Sequence, residues 1–110
     1  MKCYFIDEIT VPDMEKIEMF LREKAAMSGM ENLFWMEMPG DRLNWLQAQH
    51  LECQPYKFAI ELGKDWIKVE FLLRGSRDLI CPCSGYCDQG QRDFILDYID
   101  SMLGELNIGT

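Results

Sequence analysis

The chain has no apolar run near the roughly 18–20 residues that a membrane span requires, and its first eight residues, Met1-Lys2-Cys3-Tyr4-Phe5-Ile6-Asp7-Glu8, reach two acids too early for the apolar region of a signal peptide. It also lacks clustered base. With 11 Lys and Arg against 19 Asp and Glu, its net charge is −8, and nowhere do basic residues alternate with aromatics. Phosphate binding needs clustered Lys and Arg, so nucleic acid is excluded as a partner, and so is a membrane. There is no internal repeat, linker or low-complexity segment. Gly85 and Gly90 precede or open a helix, but no Lys-Ser/Thr pair makes them a P-loop and no G-x-G-x-x-G follows a strand. Histidine occurs once, at His50, and nothing in the sequence sets it beside a nucleophile. The acids on helix faces read as solvated surface.

What is present is the composition of a folded globule. At 110 residues, 48% hydrophobic and 12% aromatic, the chain is long enough to bury a core of its own, and residues 1–110 read as a single domain. Five cysteines are an odd number, and their spacing is unlike a secreted disulfide framework. A cytoplasmic location follows, in which clustered cysteines are free thiols, metal ligands or redox groups.

Residues 2–9 read as a first strand. Thr10 caps a helix in which Pro12 occupies the first turn and Asp13 meets the positive end of the dipole. Met14, Ile17, Leu21 and Ala25 form its apolar stripe, Glu18 and Arg22 an i,i+4 pair, and Gly29 its stop. Residues 32–38 are a second strand, closed by Pro39-Gly40. Asp41 caps a second helix to about Cys53, with Leu43, Leu46, His50 and Leu51 near one face. Met27, Met30, Met36 and Met38 gather around the second strand as core filler.

Residues 56–62 and 66–74 alternate apolar and polar, the pattern of a hairpin with one dry face. A turn at Gly63-Lys64 pairs Ile60 with Ile67, Phe58 with Val69 and Tyr56 with Phe71, and sets Lys57 opposite Glu70. Ala59, Trp66 and Leu72 fall on the otherwise polar face, which suggests a homodimer contact. Asp78–Cys81 adds an edge strand. Asp88 and Gln91 have capping-box spacing, opening a final helix with Phe94, Ile95, Tyr98, Ile99, Met102, Leu103 and Leu106 in its stripe. The order is that of an α+β two-layer sandwich: a mainly antiparallel sheet of four to five strands with helices on one face.

Function concentrates in Cys81-Pro82-Cys83-Ser84-Gly85-Tyr86-Cys87, which holds three of the five cysteines. Thiolates are soft ligands suited to zinc or an iron–sulfur cluster. The C-x-C-x3-C run can wrap three sulfurs around one ion, with Cys53 or His50 as the fourth ligand. The same residues permit thiol-redox chemistry, since Cys87 stands at a capped helix start where the dipole favours a thiolate and Cys81 or Cys83 can resolve it. In a third reading the cysteines are incidental buried thiols of a non-catalytic interaction module.

Overall fold

The computed structural model describes residues 2–76 and 81–109. Five strands form one antiparallel sheet: β1 (Cys3–Ile6), β2 (Ala26–Met27), β3 (Leu33–Glu37), β4 (Lys57–Leu62) and β5 (Ile67–Glu70), in the spatial order β1-β5-β4-β3-β2. Helix α1 (Val11–Lys24) connects β1 to β2, a short α2 (Trp45–Gln49) lies between β3 and β4, and α3 (Gln89–Glu105) follows the last strand. The fold is α+β.

Alternation decides which face of the sheet is dry. Phe34 and Met36 of β3, Phe58, Ile60 and Leu62 of β4, and Ile67 and Val69 of β5 are buried in one cluster with Met14, Ile17 and Leu21 of α1 and Ile95, Ile99, Met102 and Leu103 of α3. Glu61, Lys68 and Glu70 take the other face, where Lys68 and Glu61 pair at 3.4 Å.

The hairpin register differs from the sequence expectation by two residues. Ile60 pairs with Val69 and Leu62 with Ile67, while Phe58 sits beside Met36 of β3. The loop is centred one residue later, with the Gly63 N–H donating to the Trp66 carbonyl at 2.8 Å. The reason is the Trp66 ring, which lies over Gly63 so closely that a Cβ there would collide with the indole. Trp66 also packs on Phe5, with ring centroids 5.4 Å apart. A two-residue slip preserves the side-chain parity, so every apolar residue keeps its face. Lys57 is thereby opposite Glu37 rather than Glu70, and Glu70 pairs instead with Arg74 at 3.2 Å.

The expected strand over 66–74 is broken at Phe71. Its N–H donates to the Lys2 carbonyl and its own carbonyl accepts from Cys87. Beyond it, β6 (Leu72–Leu73) leaves the large sheet and pairs with β7 (Gly85–Tyr86), while Arg74 and Lys57 exchange both backbone bonds. This ribbon returns the cysteine loop to the region of β4. The edge strand expected over Asp78–Cys81 lies outside the described residues apart from Cys81, which is in a bend.

The helices are corrected in detail. Thr10 caps α1, accepting from the Asp13 N–H at 3.4 Å, but the helix ends at Ala25 rather than Gly29 because the chain turns extended to form β2 against β3. The expected helix over 41–53 is three pieces: a 3₁₀ turn at Gly40–Arg42, α2 capped by Asn44 rather than Asp41, and a second 3₁₀ turn at Leu51–Cys53. Leu51 is exposed. The final helix has the expected capping box of Asp88 and Gln91, with both reciprocal bonds made. It ends on Asn107 at φ 59°, where the Ile108 N–H reaches back to the Leu103 carbonyl.

The face expected to offer Ala59, Trp66 and Leu72 is not a single exposed patch. Ala59 is buried, Trp66 is half-covered by Phe5, and Leu72 is half-buried in the ribbon. Met36 and Met38 belong to the core as expected, whereas Met27 and Met30 are exposed. No helix among the described residues is long and apolar enough to cross a membrane.

Candidate metal centre

Two arms form the site. The first is the end of α2 and the 3₁₀ turn after it. His50 closes α2, and the Cys53 N–H donates to the His50 carbonyl at 3.0 Å, which places residues three apart one above the other. The second arm is the C-x-C segment, tightened by a Ser84 N–H to Cys81 carbonyl bond of 3.0 Å. Two further bonds join the arms: the Ser76 N–H donates to the Cys53 carbonyl at 2.7 Å, and the Gly75 N–H to Ser84 Oγ at 2.9 Å. Gly75 suits this close approach, because a Cβ on it would stand 3.2 Å from both Cys53 Cβ and the Cys53 carbonyl oxygen, a crowded contact.

One donor atom from each of His50, Cys53, Cys81 and Cys83 lies within 4.8 Å of every other. Cys81 is at the centre: its sulfur is 3.3 Å from His50 Nδ1, 3.1 Å from Cys83 Sγ and 3.9 Å from Cys53 Sγ. A tetrahedral zinc ion with zinc–sulfur bonds of about 2.3 Å separates its sulfurs by roughly 3.8 Å. The donor set therefore fits a single small ion, with Cys81 and Cys83 moving apart by about 0.7 Å to receive it. Cys53 and Cys83 are buried, while His50 and Cys81 reach the surface in part, so an ion has a route in.

The surroundings treat the sulfurs unequally. Burial pushes the Cys53 thiol up to about 12, reinforced by its hydrogen bonds to Cys83 and Cys81. Burial acts in the same direction on Cys83, yet hydrogen bonds from Tyr56, Cys81, Cys53 and its own backbone outweigh it and hold that thiol below its ordinary value. Tyr56 is fully buried, and its own hydroxyl is raised, by burial first and then by its bond to Cys83. The same hydroxyl donates to the Gln47 carbonyl at 3.4 Å, so Tyr56 packs against both the first arm and the Cys83 sulfur.

Cys87, the third cysteine of the expected trio, does not join this group. It is buried beside the start of α3, its N–H bonded to the Phe71 carbonyl at 2.9 Å. Burial, with the Asp88 charge, pushes its thiol up to about 11 against the partial opposition of Arg92. The reactive thiolate expected there from the helix dipole is not favoured, because desolvation exceeds the dipole's pull. All five cysteines are free. His50 and Cys53, two alternatives for one position in the sequence reading, instead stand in the group together.

Several residues around the site were not singled out from the sequence. Gln47 is buried and donates through Nε2 to the Cys83 carbonyl at 3.2 Å. Asn44-Trp45-Leu46-Gln47 has the spacing of a capping box, a signal that the neighbouring Asp41 obscured. Tyr56 left no such signal, since in sequence it is one more alternating aromatic. Compared with protein-family models, curated proteins and solved structures, the chain matches none.

Proposed function

We propose that this protein binds one zinc ion through His50, Cys53, Cys81 and Cys83, and that the ion serves to fasten the cysteine loop to the segment between β3 and β4. The observation that carries this is the convergence of four donors from two arms some 28 residues apart in sequence. Three soft sulfurs and one imidazole are a ligand set of structural zinc sites. Four protein donors complete a tetrahedron and leave no position for a substrate or an activated water, so the role is structural rather than catalytic. An iron–sulfur cluster fits less well, because its bridging sulfides and further iron need ligand pairs spread wider than 4.8 Å. Free thiols at such a site suit a reducing, cytoplasmic compartment.

When bound, the ion supplies Lewis-acid charge that keeps the thiols deprotonated and ties loop closure to metal affinity. The residues do the rest: His50 and Cys53 present two donors from one rigid turn, Cys81 and Cys83 close over them, and Gly75 lets the arms approach. Titrating metal-free protein with cobalt(II) tests this. Thiolate-to-cobalt charge-transfer bands and tetrahedral ligand-field bands saturating at one equivalent support the reading, with Cys83→Ser abolishing them and Cys3→Ser leaving them intact. Absence of such bands in the parent protein overturns it.

A further inference from the structure

Two helices in this fold begin with the same device, and the two devices touch. The Asn44 side chain accepts from the Gln47 N–H at 2.8 Å while Gln47 Oε1 accepts from the Asn44 N–H at 3.1 Å. Asp88 and Gln91 repeat the pattern at the start of α3, at 2.8 Å and 3.1 Å. Gln47 and Gln91 are the only buried polar or charged residues in the described core, each 1% exposed. A capping-box glutamine ordinarily lies at the surface with its amide nitrogen in water. Here both amide nitrogens are used. Gln91 Nε2 donates to Gln47 Oε1 at 2.7 Å and to the Arg42 carbonyl at 3.0 Å, and Gln47 Nε2 donates to the Cys83 carbonyl at 3.2 Å.

The chain of bonds has one direction. The Asp88 N–H and Arg42 carbonyl fix Gln91; Gln91 and the Asn44 N–H occupy both sides of Gln47 Oε1; the Gln47 amide is thereby held in one flip, with its nitrogen aimed at Cys83. A flipped Gln47 would face an oxygen toward the Cys83 carbonyl and a nitrogen toward two donors, so the orientation is self-consistent only one way. Among the described residues no buried side-chain polar atom lacks a partner.

We propose that Gln47, oriented by Gln91, is a positioning residue for the metal site: it anchors the C-x-C arm through the Cys83 carbonyl, beside the arm that carries His50 and Cys53, and couples it to the start of α3. The inference rests on the zinc reading given above. It adds that neither capping box acts for its helix alone. Outer-shell hydrogen bonds of this kind typically change metal affinity by about 10–100-fold.

The test compares zinc affinity, by competition with a chromophoric chelator, across the parent and three variants. Gln47→Glu keeps both acceptor bonds and removes the donor to Cys83; Gln47→Met removes donor and acceptors without adding charge. Ile17→Ala, in α1, is a stability control that touches neither arm. About tenfold or greater loss of affinity in both Gln47 variants, with shifted cobalt ligand-field bands, and parent-like affinity in Ile17→Ala, is the expected result. In the metal-free proteins, Cys81 and Cys83 should react faster with a chromogenic disulfide when Gln47 is replaced. If the Gln47 variants do not fold, Gln91→Met, which leaves Gln47 in place but unoriented, decides by the same two readouts with a smaller expected loss. A parent that binds zinc and Gln47 variants that bind it equally well overturn the positioning role and leave the metal site standing. A parent that binds neither zinc nor cobalt overturns both.

Discussion

Single residues set the geometry of the site, and Gly75 shows how narrow the margin is. A methyl group at this position meets Cys53 from two directions at 3.2 Å, one contact being backbone that cannot swing aside. Gly75→Ala should therefore move Cys53 away from Cys81, weakening zinc binding about tenfold or more while costing on the order of 1–3 kcal/mol of stability as an overpacked contact. Competition titration and thermal melts on the same variant read the two effects. Cys87 offers an independent test. Burial, then the Asp88 charge, pushes its thiol up to about 11 from an ordinary 9.0, so between these values the unfolded chain releases a proton that the folded chain keeps. Stability should be fully present below about pH 9 and fall as pH rises toward 11. Cys87→Ala should make that alkaline decline shallower in thermal melts of the metal-free protein without abolishing it, since Cys53 and Tyr56 are raised in the same direction.

At the scale of elements, the sequence was most legible where one face is buried over several turns or strands. The stripes of α1 and α3, the cap at Thr10 and the box at Asp88 all lie where periodicity and local hydrogen bonding agree. The hairpin was legible as a pair of strands and as two faces, but not in register, because period two carries parity alone and the choice between adjacent even registers was made by Trp66 closing over Gly63. The segment 41–53 was misread as one helix because Leu43, Leu46 and Leu51 sit near helical spacing; the competing caps of Asn44 and His50 divide it. That division matters to the site, since an unbroken helix would not deliver His50 and Cys53 together at its end. Phe58, 1% exposed on β4 beside Met36 of β3, keeps its core role in the corrected register. Phe58→Ala should cost about 3–5 kcal/mol in denaturant unfolding. A loss below about 1 kcal/mol would mean the sheet is not assembled around it.

For the whole molecule, the proposed metal site would be an additional fastening rather than the core itself. The large sheet and its helices bury an extensive apolar cluster, whereas the second arm hangs on the two-stranded ribbon of β6 and β7. Chelation should accordingly loosen the ribbon and the segment 40–53 without unfolding the sheet. Hydrogen exchange is expected to rise at 45–53 and 83–87 on metal removal and to stay unchanged across β4 and β5, with a lower thermal midpoint. From the sequence, Cys81, Cys83 and Cys87 were named with His50 and Cys53 as their partners, and four of these five stand together. Which of these converge was hidden, because β7 carries the chain from the turn at Cys83 to Cys87 at the start of α3, and no local spacing rule encodes that path.

The central claim is that one ion is held by one nitrogen and three sulfurs of this chain. X-ray absorption at the zinc edge, on protein purified without oxygen and with metal content measured on the same sample, tests it most directly. The account predicts one zinc per chain with three sulfur neighbours at about 2.3 Å and one imidazole nitrogen at about 2.0 Å. A shell of four sulfurs, which would bring in Cys87 or Cys3, or zinc bound only by oxygen and nitrogen, would contradict it.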